Sequence, residues 1–71
     1  MKTIAEMIPE YETCLDAMRT RRADLLRRRE LEPSFEARHK LSVRIIRLDA
    51  MIASTSAALA EMRRYRGEEY G

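Results

Sequence analysis

The chain has 71 residues, with 14 Lys+Arg against 12 Asp+Glu and a single cysteine and histidine. A hydrophobic core of this size supplies only about 3–5 kcal/mol of net stability, so small domains usually depend on an additional staple. One cysteine excludes an intrachain disulfide, and Cys14 with His39 falls short of the four ligands of a structural zinc site. Oligomerisation is the remaining staple, and the composition therefore favours a homo-oligomer.

The N-terminal segment combines a helix start with a helix breaker. Thr3 and Glu6 have the spacing of a capping box. Pro9 then removes an amide donor and pushes Ile8 away from helical angles. The segment either kinks at Pro9 or breaks there. We expect the break, so that a continuous helix 1 runs over about residues 9–31.

Helix 1 carries an apolar stripe in which Arg22 takes a position where an apolar residue is expected. A charged residue there could fix the register with Asp24 or Asp49 in reach. The alternative, which we favour, is that its aliphatic part lies on the core and its guanidinium extends to solvent. Cys14, beside the stripe, is expected to be a small buried hydrophobe. The stripe is formed by Ile4, Ile8, Tyr11, Leu15, Met18 and Leu25.

The turn is predicted at residues 32–34. The residue before Pro33 should leave helical space, and Ser34 is a favourable N-cap. Helix 2 then runs over about residues 35–66, where the next glycine can end it. The tail over residues 67–71 is expected to be frayed.

Helix 2 carries a seam whose positions alternate in steps of four and three: Leu41, Ile45, Leu48, Ile52, Thr55, Leu59 and Met62. Two long helices joined by a short turn form an antiparallel hairpin. The predicted fold is therefore all-α, a coiled-coil-like two-helix hairpin forming one domain over residues 1–71.

The apolar arc of helix 2 is wider than one partner helix can cover, which indicates a bundle of more than two helices. Two hairpins forming a four-helix bundle with two-fold symmetry are the simplest closure. A run of small residues, 53–58, would accommodate the Tyr11 ring or let another helix approach closely. The expected interface residues are Ile45, Ile46, Met51, Ile52, Ala53, Leu59 and Met62.

Charge is polarised along the predicted hairpin. Residues 1–18 carry a net charge of −3, residues 19–47 a net charge of +6, and residues 48–71 a net charge of −1. Packed head to tail, two hairpins would place each positive turn end beside the other's acidic end. We therefore expect an antiparallel homodimer whose orientation is set by electrostatics.

The arginine-rich turn end is a candidate phosphate-binding surface. Arginine suits phosphate recognition, and clustered cations bind DNA or RNA largely without reading sequence. The alternative is a solvated face in which these cations are balanced by Asp24, Glu30, Glu32 and Glu36. The candidate phosphate-binding residues are Arg21, Arg22, Arg27, Arg28, Arg29, Arg38, Lys40 and Arg44.

Nothing in the sequence favours catalysis. No nucleophile–base set, paired carboxylates or glycine-rich phosphate loop is visible, and His39 is expected to be a solvated surface residue. No cofactor or metal is predicted. We expect a non-catalytic interaction, adaptor or regulatory protein that acts through homo-oligomerisation and protein binding, with another helical protein as a further candidate partner.

A cytoplasmic location is expected, without a membrane partner. The first residues lack the apolar region of a signal peptide. The longest uncharged run, residues 50–60, is far short of the ~20 residues that span a bilayer. A lone cysteine also suits a reducing compartment.

Three resemblances accompany this interpretation. The length and the predicted antiparallel four-helix bundle are similar to those of the Rop-like plasmid RNA-binding regulators, which implies an alternative function in RNA or DNA binding through the arginine-rich turn end. The segment from Tyr65 to Glu69 resembles the Y-x-x-x-[DE] tail of small secreted Trp-x-Gly helical hairpins, although residues 32–35 at the turn do not carry Trp-x-Gly. In composition the chain resembles small phage or mobile-element proteins.

Overall fold

The computed structural model describes residues 2–70, with side chains described for residues 2–65. Helix α1 spans Ile4–Leu31 and helix α2 spans Phe35–Tyr70. They pack against each other along a rod of 54 × 20 × 15 Å. The predicted all-α antiparallel hairpin is confirmed, and so are the predicted end of α1 and start of α2.

Helix α1 begins five residues before the predicted position, and the expected break at Pro9 is wrong. Thr3 is the N-cap, and its Oγ1 accepts a hydrogen bond of 3.2 Å from the Glu6 amide. A proline at position 9 leaves only the carbonyl of Ala5 without its helical donor, and Ala5 is exposed to water. Burial of Ile8, which is 3% exposed, contributes about 1.5–3 kcal/mol, and together with the partial burial of Ile4 and Tyr11 it offsets the cost of about 3 kcal/mol for a proline inside a helix.

The turn is stabilised by the side chains of two of its residues, of which Ser34 was the predicted N-cap. Glu32 has an extended backbone (φ −84°, ψ 116°), and its Oε1 accepts a hydrogen bond of 3.1 Å from the Ser34 amide. Ser34 Oγ in turn accepts from the Ala37 amide at 3.4 Å. This pair of bonds confirms Ser34 as the N-cap of α2.

The predicted end of the second helix at Gly67 is wrong, because α2 continues to Tyr70. Gly67 does not adopt the positive φ that commonly ends a helix, and it lies within α2. A glycine inside a helix costs about 1 kcal/mol relative to alanine, which is too little to end a long helix by itself. Of the expected frayed tail, residue 71 and the side chains of residues 66–70 lie outside the described part. The same is true of most of the Y-x-x-x-[DE] segment.

The core forms between the two predicted seams. Because α1 starts at Ile4, its first turns add Ile4 and Ile8 to the same core as Leu59 and Met62 of α2. The buried residues are Ile8, Leu15, Met18 and Leu25 of α1 with Ile45, Leu48 and Leu59 of α2. Around them pack the partly buried Ile4, Tyr11, Leu26, Leu41, Ile52 and Met62.

Cys14 does not lie in this core. The prediction that it is buried is wrong, since its side chain is exposed. Leu15, the next residue, takes the buried position, and a shift of one residue rotates a side chain about 100° around the helix.

Candidate functional site

The residues predicted for an oligomer interface divide into two groups. Ile45 and Leu59 are buried between α1 and α2, and Ile52 and Met62 pack against the same core. Ile45 and Leu59 are therefore covered by the hairpin itself, whereas Ile52 and Met62 keep part of their surface exposed. The assignment of these four residues to an oligomer interface stays a prediction. Ile46, Met51 and Ala53 remain exposed.

Six of the apolar residues of α2 that the hairpin leaves at least partly exposed lie on a second stripe with the same period as the seam. Its positions follow one another in steps of three and four, and we call it the α2 outer face. Ile46 is 66% exposed, Val43 is half-buried, and the four alanines are exposed. None of the six side chains is charged, in a chain of which 37% is charged. The α2 outer face consists of Val43, Ile46, Ala50, Ala53, Ala57 and Ala60.

Two polar edges border the α2 outer face, each repeating every seven residues. One edge consists of Lys40, Arg47, Ser54 and Glu61, which are all exposed. The other consists of Ser42, Asp49, Ser56 and Arg63.

Only the second edge is tied to α1 by long-range polar contacts. Asp49 forms an ion pair with Arg22, and Arg63 lies 3.6 Å from Glu12. Ser42 accepts a hydrogen bond of 3.3 Å from Arg29. Among the described side chains, Lys40 and Arg47 have no ion-pair partner, so the first edge keeps its cations available.

The position of Arg22 agrees with both interpretations drawn from the sequence, an ion pair with an acidic residue and a guanidinium that extends to solvent. Its side chain is 39% exposed and that of Asp49 is 48% exposed. The guanidinium therefore extends to solvent, as favoured above, and it also meets one of the two expected acidic partners across the hairpin. Asp24, the other expected partner, instead lies 3.7 Å from Arg27 and 3.1 Å from Arg28 on its own helix.

The candidate phosphate-binding residues surround the turn, but they are not equally available. Arg22, Arg27 and Arg28 have acidic partners, and Arg29 bonds to a serine hydroxyl. Four of these candidates are exposed and have no ion-pair partner among the described side chains: Arg21, Arg38, Lys40 and Arg44.

Two open grooves flank the turn. Arg29, Glu30, Phe35, Arg38, His39 and Ser42 line one of them. Arg28, Leu31, Glu32, Ala37, Lys40, Leu41 and Arg44 line the other. Each groove combines cations with a carboxylate.

The turn end also exposes two large apolar side chains, Leu31 at 84% and Phe35 at 82%. His39 is exposed, as expected. The sequence identified the cations of this surface but did not predict that Leu31 and Phe35 are exposed. The period of a helix shows which residues share a face, but it does not show whether the other helix covers that face at the turn.

Among the side chains described, those of residues 2–65, no group of three or more His, Cys, Asp or Glu could hold a metal ion. Within residues 2–70, neither helix combines the length and the hydropathy that crossing a bilayer requires. Comparison of the chain with protein-family models, with curated proteins and with solved structures found no match.

Proposed function

We propose that this protein is a small non-catalytic interaction module, an adaptor or regulator that pairs with a second copy of itself and binds other proteins as a homodimer. The observation that carries the proposal is the α2 outer face, an uncharged stripe that the hairpin leaves uncovered. A lone exposed apolar residue needs no explanation, but the six successive positions of the α2 outer face carry no charge, which indicates a helix-packing surface.

The gain from pairing comes from apolar area. Burying a large aliphatic side chain contributes about 1.5–3 kcal/mol, and Ile46 retains most of its exposure in the hairpin. The alanines add little area each, but they let two helix axes approach to about 8 Å, the close end of the usual range. A reversible dimer follows, whose population rises with protein concentration.

Light scattering on a sizing column, over a range of protein concentrations, tests the pairing. We expect the mass to rise toward twice the 8.3 kDa of one chain. Ile46→Glu places a charge on the α2 outer face and should keep the protein monomeric. Ala17→Glu is the matched control, since Ala17 is exposed on α1 and belongs to no apolar stripe.

Two results would refute pairing through this face. One is a native chain that stays monomeric at every concentration. The other is an Ile46→Glu variant that dimerises as well as Ala17→Glu. Circular dichroism establishes that both variants are folded before their masses are compared.

A second candidate function rests on the turn end. Arg38, Lys40 and Arg44 are exposed cations near the two grooves, and Phe35 offers an exposed ring beside them. Such an arrangement supports binding of DNA or RNA phosphates with little sequence preference, as the resemblance to Rop-like regulators implies.

Fluorescence anisotropy with a duplex probe in rising salt tests this candidate. The slope of log K against log salt is about −0.9 for each phosphate neutralised, so three contacts give a slope of roughly −3. The double substitution Arg38→Gln/Lys40→Gln should reduce the slope by about two, whereas Arg63→Gln, at the other end of the hairpin, should leave it unchanged. Absence of binding at low salt would exclude the candidate.

A further inference from the structure

We infer that two copies of the chain pack the α2 outer face against itself in antiparallel orientation, about a two-fold axis that passes between Ala50 and Ala53. This inference rests on the proposed self-association and adds its register. Around the axis, Ala50 faces the partner's Ala53, Ile46 faces the partner's Ala57, and Val43 faces the partner's Ala60.

The register follows from the sizes of the side chains. The two large residues of the α2 outer face, Val43 and Ile46, lie in its first half, and the second half is alanine. Antiparallel packing sets each large residue against a small one, so the two helices keep a constant separation. Parallel packing would set Ile46 against the partner's Ile46 and Ala57 against the partner's Ala57, forcing the helices apart at one end and leaving a gap at the other.

The edges of the face are complementary in the same register. In an antiparallel pair of helices, each edge meets its own copy. Lys40 then faces the partner's Glu61, twice in the dimer, and Arg47 faces the partner's Ser54. On the other edge Asp49 faces the partner's Ser56, and Ser42 faces the partner's Arg63. No like charges meet among these pairs.

Long-range charge favours the same orientation. Residues 19–47 carry a net charge of +6. In a parallel dimer these two segments would lie side by side, whereas the antiparallel dimer places them at opposite ends. Exposed ion pairs contribute little affinity, so this effect selects the orientation and the apolar contact supplies the binding.

The position of the face determines the shape of the dimer. At 100° per residue, the α2 outer face lies roughly 160° around the helix from the seam that packs on α1. Each α1 therefore stands on the far side of its own α2. The four helices form a flat row with both α2 helices at the centre, rather than a square bundle around a common core.

Paired cysteines test the register directly. In a Cys14→Ser background, Val43→Cys and Ala60→Cys are made as separate proteins and oxidised alone or mixed. In the antiparallel register the two positions face each other, so the mixture should form a disulfide-linked dimer. Val43 and its own copy would be separated by about 17 residues of helix, or ~26 Å, far beyond the reach of a disulfide, so neither variant should cross-link alone.

The possible results distinguish the antiparallel register from self-association itself. A dimeric mass with cross-linking of Val43→Cys alone would mean parallel packing, which overturns the register and leaves self-association standing. A dimeric mass with no cross-link in the mixture overturns the register as well. A monomeric mass with no cross-link in any sample overturns both.

A charge exchange supplies an independent measurement. Lys40→Glu turns two attractive contacts of the dimer into repulsive ones and should raise the dissociation constant about tenfold. Adding Glu61→Lys to that variant should restore the native value within about twofold. A double variant that dimerises no better than Lys40→Glu would contradict the edge pairing.

Discussion

Replacing Leu59 by alanine tests how this small core is held together. Leu59 is 2% exposed, the lowest value in the core together with Leu25. Removing such a side chain costs about 2–5 kcal/mol, because the lost transfer free energy is joined by the cost of the cavity. A core of this size supplies only about 3–5 kcal/mol, so the variant should be largely unfolded when it is dilute.

The assay is urea unfolding followed by circular dichroism, repeated over a hundredfold range of protein concentration. Leu31→Ala is the control, because it makes the same chemical change at a leucine that is 84% exposed. We expect its free energy of unfolding to stay within about 0.5 kcal/mol of the native value.

Concentration adds a second readout to the Leu59→Ala experiment. If the folded hairpin dimerises, mass action stabilises it as the concentration rises, so the helical signal of the variant should partly return. Equal losses for Leu59→Ala and Leu31→Ala would refute the packing described above. A loss confined to Leu59→Ala that does not depend on concentration would instead locate all of the stability in the monomer.

Two further substitutions test features of the individual helices. Pro9→Ala restores the amide donor to Ala5. Proline is about 3 kcal/mol less favourable than alanine inside a helix and recovers at most about 1 kcal/mol through the unfolded chain, so the variant should gain about 2–3 kcal/mol in urea unfolding. A loss would mean that the proline shapes the packing of Ile8. Arg22→Leu extends the apolar stripe of α1 and removes a half-exposed ion pair with Asp49 that is worth at most about 1 kcal/mol. The free energy of unfolding should therefore rise or stay level. A decrease of more than about 1 kcal/mol would show that the ion pair with Asp49 fixes the register of the two helices.

The hairpin could be predicted from the sequence because several local signals agree. The seam of α2, the extended residue before Pro33 and the N-cap Ser34 each indicate the same turn and the same pair of helices. The start of α1 could not be predicted in this way. The local effect of Pro9 favours a break, and only the burial of Ile8 and its neighbours Ile4 and Tyr11 in the hairpin core, which depends on the fold, offsets that effect.

The interface residues were harder to predict for a different reason. Periodicity places Ile45 and Ile46 on neighbouring faces of one helix, but it does not say which face the hairpin itself covers. The structure answers that question by burying Ile45 and exposing Ile46. Of the alanines on the α2 outer face, only Ala53 was among the expected interface residues, because a small apolar residue is compatible with either environment.

The closed turn also bears on how the molecule folds and opens. Contacts beside residues 32–34 close short loops, whereas the core also joins residues from nearly opposite ends of the chain, such as Ile4 and Met62. The entropic cost of closing a loop grows with the number of residues it encloses. Folding therefore loses the least entropy when the contacts between α1 and α2 form first near the turn and then toward the termini. Local opening follows the reverse order. In hydrogen exchange, amides near Leu25 and Ile45 should be protected longest, and those of the first turns of α1 should exchange first.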